Sequence, residues 1–397
     1  MISPIISRRL LLAAGASISF LGGGALADET LNRRKIVVII CRGGMDGLSV
    51  SPPVGDPDYA ALRGAIAIPA DKALKLDDTF ALHPALASVH RLALAGQARI
   101  APAIASPDRA RSHFEAQDVL ESGASKVYGL SSGFLNRTLI SLETRRKVSG
   151  LSVGATAPLV LRGKALASSW SPGPEAGGLP RLPALLTDLY AGDAMLSQAL
   201  AQGLQTKAMA ATASADAASM TPTPARGPGA AAGSRKLGAT LAGFMTQPGG
   251  PQIAAVSLDG FDTHANETNA LAPRLEGLDA LLDGLSSGLG EEWKNTVVVC
   301  ATEFGRTARV NGTGGTDHGT GSAALVLGGG LKKGGIIGDW PTLKQQALFE
   351  NRDTAPTLDM RGLFKGLLAE HMGVERAALE ADIFPDSAGA APVLGLV

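Results

Sequence analysis

The stretch KIVVIICRGGMDGLSV, residues 35–50, sets the reading of the chain. Lys35–Cys41 is short, apolar and β-branched, and such a run bounded by glycines reads as a strand buried on both faces. The glycines that follow let the backbone turn sharply and approach a ligand, and Asp46 lies between Gly44 and Gly47. Runs of the same kind recur at Ala98–Ile104, Pro158–Leu161, Gln252–Leu258, Thr296–Ala301 and Ala323–Leu327. Helical patterns fill the intervals, at His83–Leu94, His113–Ser122, Leu185–Leu204, Ala270–Leu289 and Met360–His371. Strands alternating with helices imply an α/β fold whose mostly parallel sheet is covered by helices on both faces. Ligands of such sheets sit beyond the carboxyl ends of the strands.

Composition narrows the function. With 397 residues, 45% hydrophobic and 18% charged, the chain is globular. Lys+Arg and Asp+Glu both number 36, a balance that argues against nucleic-acid binding through a basic surface. Aromatics are 4%, too few for base-stacking platforms. The cysteines, Cys41 and Cys300, read as buried small hydrophobes near strand ends. Residues 1–27 read as a twin-arginine-type signal peptide: Arg8-Arg9, an apolar run to Leu21, and Ala25-Leu26-Ala27 as a cleavage site. An ordinary secretory signal or a retained anchor is the alternative. The expected location is therefore periplasmic or secreted, with no membrane span after signal removal. Residues 28–397 read as a single domain carrying a flexible Ala/Pro-rich loop at about 210–233.

Polar groups gather after the strands. Asp46 follows the first. Arg111-Ser112-His113 follows the second, with Ser112 and Glu115 spaced as a capping box. Asp262 and His264, two apart, follow the Gln252–Leu258 run, and Glu303 and Arg306 follow Thr296–Ala301. Asp317-His318, flanked by glycines, precedes the last strand. Each has a structural reading: an Asx turn for Asp46, a cap for Ser112, a surface loop for Asp262 and His264, an ion pair for Glu303 with Arg306. Together they place acid, imidazole and hydroxyl groups on one edge. Carboxylates gathered there repel unless a cation joins them, and one or two divalent ions would resolve this. Oxygen and imidazole donors favour zinc or manganese, with calcium also open. The candidate ligands are Asp46, His113, Asp262, His264, Glu303, Asp317 and His318; Ser112 is the candidate nucleophile, and Arg306 or Arg111 would steady an anion. His83, His90 and His371 read as structural, His371 as a cation near a helix end.

The segments CRGGMDGLSV, RSHFEAQD, GFDTH, ATEFGRT and GTDHGTGSAALVLGGGLKKGG, in order from residue 41 to 335, resemble the exported bacterial family of unknown function numbered 1501. That family is similar in turn to the alkaline phosphatase and sulfatase superfamily, which binds two divalent metals at the sheet's carboxyl edge. The resemblance implies an alkaline-phosphatase-like fold. It implies Asp46 as first-strand ligand, Ser112 as nucleophile, Asp262 and His264 as the Asp/His pair, Glu303 in place of the superfamily's Asp-His-Gly aspartate, and His318 as the late histidine. Phe304 stands where a ligand histidine is expected, and the Asp–His spacing is two rather than four. The expected function is a metal-dependent hydrolase of small anionic phosphate or sulfate esters. The alternative is a catalytically silent metal-binding or assembly protein, for which the Ala/Pro-rich loop would be a partner contact.

Overall fold

β1 (Lys35–Cys41) is buried along its whole length. Ile36, Val38 and Ile40 enter one hydrophobic core, and Val37, Ile39 and Cys41 enter another. This is the period-two alternation of a strand, and a strand with cores on both faces needs a continuous apolar run. The other strands of its sheet are β2 (Ala98–Ala105), β3 (Gly150–Val153), β4 (Ala167–Trp170), β5 (Ile253–Leu258), β6 (Thr296–Ala301), β7 (Ser322–Leu327), and the two-residue β8 (Gly335–Ile336) and β9 (Leu358–Asp359). They form a nine-stranded sheet in the order β8-β2-β7-β6-β1-β5-β3-β4, with β9 also pairing β2. The computed structural model describes residues 29–154, 157–172, 182–219, 230–332 and 334–397.

β1 runs parallel to β5 and β6, and β3 runs parallel to β4 and β5. β7 is antiparallel to both β2 and β6. That reversal matters for the site. The start of β7, not its end, lies at the carboxyl edge of the parallel strands, so Asp317 and His318 reach the same edge as the loops after β1, β2, β5 and β6.

The helices of eight or more residues, among the described residues, are α1 (Ala87–Leu94), α2 (His113–Ser122), α3 (Phe134–Glu143), α4 (Leu182–Tyr190), α5 (Ala194–Ser219), α6 (Ala230–Thr246), α7 (Glu267–Leu289) and α8 (Met360–Glu370). Residues of α1, α5, α6 and α7 fill the core on one face of the sheet, and residues of α2, α3 and α8 fill the other. In α7 the stripe Leu271, Leu275, Leu278, Leu282, Leu285 and Leu289 is buried. Each such leucine contributes about 1.5–3 kcal/mol over an exposed one. Among the described residues no helix is long and apolar enough to cross a membrane.

Several expectations need correction. Pro158–Leu161 is not a strand: Leu159–Leu161 is a 3-10 turn. The strands in that region are β3 (GLSV) and β4 (ASSW), whose weak propensity is overridden by pairing with β5 and each other. The Leu185–Leu204 pattern is two helices, and Asp193 accepts from Met195 N–H at 2.9 Å and Leu196 N–H at 3.0 Å to start the second. Residues 210–219 of the expected loop continue α5 and 230–233 belong to α6, since alanine favours helix whatever its burial. Residues 220–229 and the proposed signal, 1–27, lie outside the described residues. His371 is no helix-end cation. Its Nε2 donates to the Lys35 carbonyl at 2.9 Å, and burial pushes its pKa down to about 4. Cys41 and Cys300 are free thiols, both buried.

Candidate metal centre

Four side chains from three loops converge beyond the sheet. Asp262, on the loop after β5, places Oδ1 3.0 Å from His264 Nε2 and 3.2 Å from His318 Nε2, and Oδ2 3.4 Å from His113 Nε2. His264 Nε2 and His318 Nε2 are 3.0 Å apart. One donor atom each from His113, Asp262 and His318 lie within 4.8 Å of one another. The opposite ring nitrogens all face oxygen: His113 Nδ1 is 2.8 Å from Glu303 Oε1, His318 Nδ1 2.9 Å from the Arg111 carbonyl, and His264 Nδ1 3.4 Å from Asp317 Oδ1. A carbonyl or carboxylate only accepts, so the short contacts at Nδ1 place a hydrogen there in His113 and His318, whereas in His264 the shorter carboxylate contact is at Nε2, toward Asp262.

The His318 lone pair left at Nε2 and the Asp262 carboxylate repel one another. His113 Nε2 is moreover buried without a hydrogen-bond partner. Its hydrogen bond to Glu303 raises the His113 pKa against the effect of burial, with Asp262 adding to the rise, so the pocket favours positive charge there. Burial, by contrast, lowers the His318 pKa and keeps that ring neutral. Imidazole nitrogens around one carboxylate, each steadied from behind by an oxygen, form a donor set suited to a borderline divalent ion.

The remaining candidates take other places. Glu303 is fully buried, and its oxygens accept from His113, Gly43 N–H (2.8 Å), Gln117 Nε2 (3.1 Å) and Thr302 Oγ1 (3.0 Å). Burial alone would raise its pKa, but these bonds, His113 first, hold it below the usual range. With its acceptor capacity filled, Glu303 orients His113 rather than serving as a ligand. Asp317 likewise stands behind His264. Arg306 is not an anion clamp. It is buried, and it donates to the carbonyls of Gly44 (2.7 Å), Gly43 (2.7 Å), Thr316 (3.0 Å) and Phe261 (3.2 Å) and to Asp262. Arg111 is also spent, on Asp353 (2.8 Å) and Glu350 (2.6 Å), and its contribution is the carbonyl facing His318.

Asp46 turns away from the histidines. Its carboxylate pairs with Arg63 and accepts from Ser49 Oγ (2.7 Å) and Leu48 N–H (3.1 Å). Arg63 and Glu267, which complete this buried cluster, carry no motif that sequence reading could have used. Phe304 packs its ring 4.8 Å from those of both His113 and His318. With Asp46 and Glu303 committed elsewhere, the donors expected for a second ion are not assembled among the described residues. Ser112 precedes α2 but makes no side-chain cap. The capping-box reading of Ser112 and Glu115 is therefore not realised.

The glycines explain how the loops come so close. Gly43 has φ +117°, and a Cβ there would lie 2.5 Å from Asp262 N. At Gly315 a Cβ would lie 2.3 Å from the His264 carbonyl carbon.

Residues 33–383 match the family model described as protein of unknown function, DUF1501. The chain belongs to DUF1501. Solved structures similar to this DUF1501 chain include Ps i-CgsB, at 11% identity over 89% of this chain and 74% of that one, with a TM-score of 0.41. Another is the C-terminal periplasmic domain of phosphoethanolamine transferase EptC from Campylobacter jejuni, at 11% identity, 90% and 96% coverage and a TM-score of 0.38. Alkaline phosphatase from the Antarctic bacterium TAB5 matches at 11% identity, 76% and 94% coverage and a TM-score of 0.33. A search of curated proteins returns no match.

Proposed function

We propose that this DUF1501 chain is a metal-dependent hydrolase of phosphate or sulfate esters, exported behind residues 1–27 and acting in the periplasm or outside the cell. The observation that carries the reading is the convergence of the His113, His264 and His318 Nε2 atoms on Asp262, with the His113 atom buried and unpartnered. His113, Asp262 and His318 would hold one ion, with His264 beside them. Zinc or manganese suits this nitrogen-rich set better than calcium, which prefers six to eight oxygens. Bound there, a divalent ion supplies Lewis-acid stabilisation of charge on an ester oxygen.

The chain's own residues do the rest. Glu303 and the Arg111 carbonyl hold His113 and His318 with Nε2 turned inward, and Asp317 stands behind His264. Arg306 fixes Asp262. Ser112, immediately before His113, is the proposed nucleophile, its hydroxyl uncommitted to the helix cap.

Purified protein tests this directly. Metal content should be about one equivalent, and turnover of an aryl phosphate, a phosphodiester or an aryl sulfate should vanish with chelator and return with zinc or manganese. Ser112→Ala should lower kcat by about a hundredfold or more while leaving metal content intact. Bound metal with no turnover of any of these esters refutes the hydrolase reading and leaves a binding protein.

A further inference from the structure

Asp46, Arg63 and Glu267 form a fully buried ionic cluster to which the proposed chemistry assigns nothing. Arg63 Nη2 meets Asp46, Ser49 Oγ at 2.9 Å and Glu267 Oε1 at 3.1 Å. Ser49 Oγ also lies 2.8 Å from Glu267 Oε1, so its one hydrogen is shared between the two carboxyl groups. Two carboxylates face one guanidinium here, and burial together with Asp46 pushes the Glu267 carboxyl up to about 8. Desolvating three ionisable groups is costly, and an apolar trio of similar volume would stabilise the fold at least as well. Stability alone therefore does not account for the cluster.

Its connections point toward the metal centre. Glu267 is the first residue of α7, three positions after His264, and its Oε2 accepts from Thr316 Oγ1 at 2.6 Å. Thr316 is two positions before His318. Thr316 N–H donates to the Thr263 carbonyl at 3.1 Å, its own carbonyl accepts from Arg306 at 3.0 Å, and Glu267 N–H donates to Gly314 O at 2.8 Å. The loop carrying Asp262 and His264 and the loop carrying His318 are thus clipped together at the Glu267 carboxyl. Arg63, Asp46 and Ser49 hold that carboxyl from the side of β1.

We infer that Asp46, Arg63 and Glu267, acting through Thr316, are positioning residues that set the spacing of His264 and His318 for a metal ion. The inference rests on the metal reading above. It gives the first-strand aspartate a role several contacts removed from the ion.

Cobalt(II) titration of the ion-free full-length protein is the test, read by affinity and by the d–d absorption band. Thr316→Val removes the hydroxyl that Glu267 accepts, and should weaken cobalt binding about tenfold or more and shift the band. Thr316→Ser should restore both. Glu267→Gln, which keeps an acceptor for Thr316, should stay close to the parent, while Glu267→Ala should behave like Thr316→Val. A purely structural role would lower the melting temperature yet leave the affinity and spectrum of folded protein unchanged. Parental cobalt affinity and spectrum in Thr316→Val overturn the inference while leaving the metal reading standing. A parent protein that takes up no cobalt overturns both. Should Glu267→Ala fail to fold, the Thr316 pair decides alone.

Discussion

Glu303 shows how a buried carboxylate is satisfied by neutral donors and one imidazole. It accepts four hydrogen bonds, one of which locks the His113 tautomer. Glu303→Gln keeps the shape but loses the charge that makes His113 a strong donor. Metal affinity should drop about ten- to a hundredfold, measured by competition with a chromophoric chelator, with little change in melting temperature. Arg306→Ala should act the other way round. It strips donors from four carbonyls, so a stability loss of about 3–5 kcal/mol is expected in urea unfolding. At this scale the sequence disclosed residue types more readily than roles. His113, Asp262 and His318 were visible as candidates because imidazole and carboxylate recur at strand ends. Whether Asp46 meets a cation or an arginine depends on Arg63 and on Glu267, far along the chain, and no local pattern encodes that meeting. Arg306 and Arg111 misled for the same reason: a guanidinium reads alike in sequence whether it is free or spent.

Among the elements, α1 has an unusual start. Its N-cap position is Leu86, which offers no side-chain acceptor. Asp279 of α7 does the work from a neighbouring helix, with Oδ1 2.9 Å from both Ser88 N and Val89 N. Asp279→Ala should therefore cost about 1–2 kcal/mol, the range of a lost cap, and should raise amide exchange in 87–94 more than in α7. Strands with a continuous apolar run, such as β1, β5 and β6, were legible because burial on both faces leaves an unmistakable composition. β3 and β4 were not, because GLSV and ASSW become strands only through the pairing partner waiting beside them. The Ala/Pro-rich stretch misled in the opposite sense: its alanines lack apolar bulk, yet alanine has the highest helix propensity, and α5 continues through them to Ser219.

The whole molecule responds to acid through groups away from the candidate metal centre. His371 is buried between α8 and the start of β1, and burial lowers its pKa from 6.5 to about 4. The unfolded chain takes up the proton first, so the stabilisation from keeping this ring neutral is complete above pH 6.5 and is lost as pH falls toward 4. On the order of 3 kcal/mol is at stake. Thermal midpoints should drop across that interval, and His371→Gln should flatten the drop; an unchanged slope in the variant would rule His371 out as its source. The α/β class was readable from the alternation of elements, whereas the reversal of β7 was not, since strand direction leaves no mark on composition. The stitching by Arg306 carries a consequence of its own. Its bonds run to backbone oxygens of separate loops and require no cation. The socket is thus cast before its guest arrives: stripped protein should keep its fold, reload without a refolding lag, and discriminate among metals by the mould it already has.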